Sequence, residues 1–74
     1  MQLSDLKPGE PFEARDPARH IQYAGRRGHP DYDNDWLSLT WIAGRRVLGP
    51  PEAMPAAAIQ QACNEQGFTV TRTG

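Results

Sequence analysis

Apolar residues in this chain fall in short alternating runs, with a single stretch of helical spacing late in the sequence. Leu3 and Leu6 come first, three apart, and Pro8-Gly9 is the signal of a type II turn. Phe12 and Ala14 then alternate with Glu13 and Arg15, which predicts a short first strand. Pro11 argues for an edge position, because it has no N–H to offer a second neighbour. In "HIQYAG" (20–25), Ile21 and Tyr23 share one face and His20, Gln22 and Ala24 the other, as in a half-buried strand. "RRGHPDYDND" follows and reads as loop.

"WLSLTWI" (36–42) is the strongest strand signal, dense in aromatic and β-branched residues. Leu37, Leu39 and Trp41 fall on one face, and Trp36, Ser38, Thr40 and Ile42 on the other. Apolar groups on both faces fit a central strand, or one whose second face meets a partner. The next four residues, Ala43-Gly44-Arg45-Arg46, make a hairpin turn. A Gly44-Arg45 loop sets Trp41 against Leu48 and Ile42 against Val47, apolar to apolar, and glycine at the first loop position suits a type II′ turn. The other register, with Ala43-Gly44 as the loop, sets Trp41 against Arg46 and is the less favoured on this pattern.

"GPPEAMP" reads as a stiff connection in which Met54, preceding a proline, is extended. The helix then starts with Pro55 at its first position. "AAAIQQACNEQ" turns Ile59, Ala62, Cys63 and Gln66 to one side, Gly67 stops it, and "FTVTRT" is a last strand with Phe68 and Val70 inward. Four strands, a helix and a strand predict an α+β domain spanning residues 1–74. The architecture expected is a small antiparallel sheet, or an SH3-like partial barrel, of about five short strands.

Length sharpens this picture. Seventy-four residues bury only about 60% of the unfolded surface, so the core is thin. Cys63 is the only cysteine, so no disulfide can help. A second copy of the chain or a bound partner is a natural supplement. The lone cysteine fits a reducing compartment. The first residues lack a signal-peptide pattern, and no apolar run is long enough for a membrane span. The expectation is a cytoplasmic protein with no membrane contact.

Charge counts against a generic polyanion binder: eight Lys and Arg stand against nine Asp and Glu, whereas such binders are visibly basic. Six of the cations nonetheless lie between residues 15 and 46, alongside Asp31, Asp33 and Asp35, so patches of both signs are expected.

Catalytic and cofactor chemistry finds little to work with. Asp31, Asp33 and Asp35 open like a calcium loop, but Trp36 and Ile42 occupy the positions that require Gly and Glu. His20, His29 and Cys63 lack zinc-ligand spacing. Ser4 and Lys7 spell S-x-x-K without the further motifs that such enzymes need. Cys63 falls on the inward helical face, and no Gly-rich loop carries the lysine and hydroxyl of a nucleotide site. The sequence therefore predicts no enzyme, no cofactor and no metal.

Two docking readings remain. Interfaces are enriched in Trp, Tyr and Arg, which points to Tyr32 and Trp36 with the arginine pairs Arg26-Arg27 and Arg45-Arg46 as contacts for another protein. The alternative is a nucleic-acid-binding domain, with the arginine pairs gripping phosphates from turns and the aromatics stacking on bases. The competing structural role for Trp36 is a cap on the core, and for each arginine pair a solvated turn that blunts a sheet edge. In size and in lacking catalytic residues the chain resembles short phage or mobile-element regulators such as anti-CRISPR inhibitors. That resemblance implies a small regulator or inhibitor acting by surface docking.

Overall fold

A computed structural model describes residues 1–74. Its organising element is the strand that the sequence signals most strongly, β3 (Trp36–Ile42). On one side β3 pairs with β2 (Ile21–Arg27), which pairs with β1 (Pro11–Arg15), which pairs with β6 (Thr69–Arg72), all antiparallel. On its other side two short strands share the edge of β3: β4 (Arg45–Arg46) beside Trp41 and Ile42, and β5 (Glu52–Pro55) beside Trp36 to Leu39. Helix α1 (Ala56–Gln66) and a 3₁₀ turn (Leu3–Asp5) supply the remaining core groups. The architecture is α+β, a small antiparallel sheet with one helix before the last strand.

The core is one cluster: Leu3, Leu6, Phe12, Ala14, Tyr23, Leu37, Leu39, Ile59, Cys63 and Val70. Every one is apolar or weakly polar, and no buried side-chain N or O lacks a partner. Met54, Ala56, Ala62, Phe68 and Ile42 close around it. As its helical phase dictates, α1 buries Ile59 and Cys63, whereas Gln66 is exposed at the last turn.

Several expectations need correction. The sheet has six strands because "PPEAMP" is not a mere connection. Met54 is extended before Pro55, and that conformation suffices for pairing with Leu37. Pro55 is the last residue of β5 and the cap of α1 rather than its first turn, with ψ at 133°. The first helical amide, Ala56 N–H, donates to the Asp35 carbonyl at 2.8 Å. β1 is not an edge strand, since Pro11 stands at its first position and still offers its carbonyl to the Thr73 N–H at 3.1 Å.

Two bulges re-aim side chains that strict alternation puts inside. Between Ala24 and Gly25, β2 advances one residue while β3 advances two, leaving Thr40 extra. Beyond it Ile42, not Trp41, packs against the core. Trp41 instead pairs with Ala24 on the uncovered face, and its Nε1 donates to the Ile21 carbonyl at 2.9 Å. A second irregularity leaves Gln22 extra between β1 and β2 and sets Ile21 opposite Arg15, outside the core. The close crossing of β2 and β3 depends on Gly25, where an added Cβ would lie 2.1 Å from the Ser38 carbonyl oxygen.

The hairpin takes the less favoured register, Trp41 opposite Arg46 and Ile42 opposite Arg45. Ala43 (φ 50°) and Gly44 (φ 80°) are both left-handed, which is a type I′ turn. Its twist matches that of the flanking strands, and Gly44 N–H donates to the Gln22 carbonyl at 3.0 Å. This geometry outweighs the apolar pairing of the alternative. Leu48 is left 89% exposed as a consequence.

Candidate docking surface

The loop between β2 and β3 is held at both ends. Gly28 N–H donates to the Trp36 carbonyl at 2.7 Å, and Ser38 Oγ to the Gly28 carbonyl at 2.6 Å. Inside the loop two turns follow each other: Tyr32 N–H to His29 carbonyl at 3.2 Å, and Trp36 N–H to Asp33 carbonyl at 3.3 Å. The Asp33 carboxylate accepts the Asp35 N–H at 2.9 Å, the side-chain turn that aspartate favours. These turns bring residues four apart into register, and Tyr32 stacks on Trp36 with ring centres 4.3 Å apart and planes 16° from parallel. His29 extends the row, 5.3 Å from Tyr32 at 57°.

Trp36 is half-buried, whereas Tyr32 is 57% exposed. Beside the stack runs an open groove of about 550 Å³, lined by Trp36, Leu3, Pro55, Ala56 and Ala57 with polar groups at its rim. Small side chains at the start of α1 leave this space next to the indole.

The two arginine pairs have different roles. Arg27 ends β2 beside Leu37 and lies under the N-terminal segment. Its Nε donates to the Asn34 carbonyl at 2.9 Å, and its Nη1 donates to the carbonyls of Ser4 (3.2 Å) and Leu6. One guanidinium thus ties the loop and the 3₁₀ turn to the sheet. Arg26 is exposed and donates once, to the Gly9 carbonyl at 3.1 Å. Arg45 and Arg46 are exposed at the opposite end of β3, with no ion pair or hydrogen bond from either side chain. At about 3.3 Å per residue, six steps of strand separate Trp36 from Ile42 by roughly 20 Å. Tyr32 and Trp36 therefore form one surface, with Arg27 beside it in the groove, while Arg26 lines a separate cleft with Ser38 and Thr40 and Arg45-Arg46 lies apart from both.

Sequence reasoning missed His29 as a member of the aromatic row and the alanine-lined groove beside it. The signal available for the groove was "PAAA", small residues following a proline. The ionisable groups with perturbed behaviour lie elsewhere. His20 N–H donates to the Asp16 carboxylate at 2.9 Å and holds its pKa below the ordinary value, aided by Gln22 Nε2 at 2.9 Å. Burial raises the Cys63 pKa and keeps its thiol protonated. No group of three or more His, Cys, Asp or Glu is arranged to share an ion, and no helix is long and apolar enough to cross a membrane. Comparison with protein-family models, curated proteins and solved structures finds no match.

Proposed function

We propose that this chain is a non-catalytic protein-binding module, a small regulator or inhibitor that works by docking through Tyr32 and Trp36. The observation that carries this reading is the Tyr32–Trp36 stack, more than half exposed at Tyr32 and flanked by an open groove. A stacked pair loses little side-chain entropy on binding, and flat aromatic area of this kind dominates the energy of protein interfaces. Asp31, Asp33 and Asp35 around it give the surface charge that selects a partner and fixes its orientation.

The unengaged guanidiniums of Arg45 and Arg46 favour a second reading, a nucleic-acid-binding domain. Stacking on bases would then fall to Tyr32, since Trp36 already has a ring against it. One experiment separates the two. The immobilised chain is exposed to nuclease-treated lysate of its source organism and, in parallel, to labelled DNA and RNA at low and high salt. Protein docking predicts capture of a protein that is lost with Tyr32→Ala and kept with Arg45→Glu/Arg46→Glu. Nucleic-acid binding predicts probe retention that falls steeply with salt and vanishes in the double arginine variant.

A further inference from the structure

The edge of β3 that carries β4 and β5 is built in an unusual order. Val47 N–H donates to the Thr40 carbonyl at 2.9 Å, and Glu52 pairs with the adjacent Leu39. Four residues, Leu48 to Pro51, are therefore extruded between two neighbouring positions of β3, at the middle of its edge. Leu48 is the most exposed of the large apolar side chains at 89%. On either side of it along the edge the charge is of opposite sign. Arg45 and Arg46 lie beside Ile42 and Trp41 at one end; at the other, the loop carrying Asp31, Asp33 and Asp35 reaches the edge through Asp35, whose carbonyl accepts the Ala56 N–H just past β5.

We propose that two copies of this chain associate edge to edge about a two-fold axis, Leu48 against the second copy's Leu48 and each Arg45–Arg46 strand against the other copy's Asp31–Asp35 loop. The antiparallel arrangement follows from charge complementarity. Laid parallel, the edges set arginine against arginine and aspartate against aspartate; turned by a two-fold, each basic end meets an acidic end twice over. The extruded loop sits at the level of Leu39, midway between Trp36 and Ile42, so the axis passes through Leu48. Pro50, Pro51 and Pro55 remove N–H groups from this edge, which disfavours extension of the sheet across the contact and leaves it to side chains. Glu52 is the charged group near the axis that opposes the contact. The contact surface is short, which makes the dimer weak and dependent on concentration and salt. It uses the carboxylates of Asp31 and Asp35 and not the Tyr32 ring, so it does not rest on the docking proposed for Tyr32, although a docked partner and a second copy compete for this loop.

Sedimentation equilibrium of the purified chain over a concentration series tests this. Leu48→Asp removes the axial contact at an exposed position. Arg45→Glu/Arg46→Glu and Asp31→Arg/Asp35→Arg each set like charges face to face. Asp33 is left in place because its carboxylate holds the loop turn. The proposal predicts an apparent mass rising toward twice the chain mass at low salt. It also predicts association weakened about tenfold or more by Leu48→Asp and by each charge variant alone, and dimers recovered when the two charge variants are mixed. A monomer at every concentration, a dimer indifferent to all three variants, or charge variants that do not rescue each other overturns it.

Discussion

Tyr32 lies flat on Trp36, 4.3 Å from ring centre to ring centre and 16° from parallel, and is more than half exposed. Removing the tyrosine ring takes away contact area without opening the core. Tyr32→Ala is expected to fold normally, to lower stability by about 0.5–1.5 kcal/mol, the worth of an aromatic pair, and to shift Trp36 emission to longer wavelength as the indole is wetted. Thermal denaturation and fluorescence read both. A Tyr32→Ala protein that unfolds cooperatively tens of degrees lower contradicts the assignment of this ring to the surface.

The two arginine pairs, alike in sequence, should behave oppositely in stability measurements. Arg27→Met leaves the Ser4, Leu6 and Asn34 carbonyls without their shared donor and is expected to cost about 1–3 kcal/mol. For a domain of this size each kcal/mol lowers Tm by roughly 4–8 °C. Arg45→Ala and Arg46→Ala are expected to stay within about 0.5 kcal/mol of the parent. Equal effects at both pairs contradict the strut assigned to Arg27.

The hairpin register predicts a stabilising substitution. Ala43 holds φ at 50°, a conformation that costs an L-residue roughly 1–2 kcal/mol. Asparagine is the preferred residue before glycine in a type I′ turn, so Ala43→Asn should raise Tm. If the loop were Gly44-Arg45 instead, the same change would do nothing or lower it.

Asp16 gives a pH signature with a definite sign. Its pKa is held below the ordinary value chiefly by the His20 N–H, so the folded state prefers the ionised carboxylate. The stabilisation is complete above the ordinary carboxylate pKa of 3.8 and fades as pH falls from there through the lower folded value. Asp16→Asn should flatten the acid limb of the stability profile and leave its neutral region with the same slope. An unchanged acid limb contradicts the role given to the His20 contact.

How far the sequence alone reaches is clear from particular residues. β3 was legible to its end residues because Trp36 to Ile42 combines strand propensity with alternation. Gly67 likewise marked the end of α1, where it is left-handed at φ 71°. Alternation could not reveal that Thr40 and Gln22 are extra residues, because a bulge is a property of two strands in register and not of one. Ile21 and Trp41 consequently read as core and lie outside it. β5 was hidden by its prolines, which suppress strand signals although they are harmless at the outer edge. Tyr32 and Trp36 were singled out by residue type, but their stacking depends on two consecutive turns. The role of Arg27 depends on where Leu3 to Leu6 dock, which nothing near Arg27 in the sequence encodes.

The most direct test of the docking surface is the affinity of the captured partner for the parent chain and for Tyr32→Ala, measured side by side by titration calorimetry. A ring at the centre of a protein interface contributes about 2 kcal/mol or more, so the expected result is a Kd weakened by roughly thirtyfold with the variant's fold retained. A folded Tyr32→Ala protein that binds the partner as tightly as the parent contradicts the account.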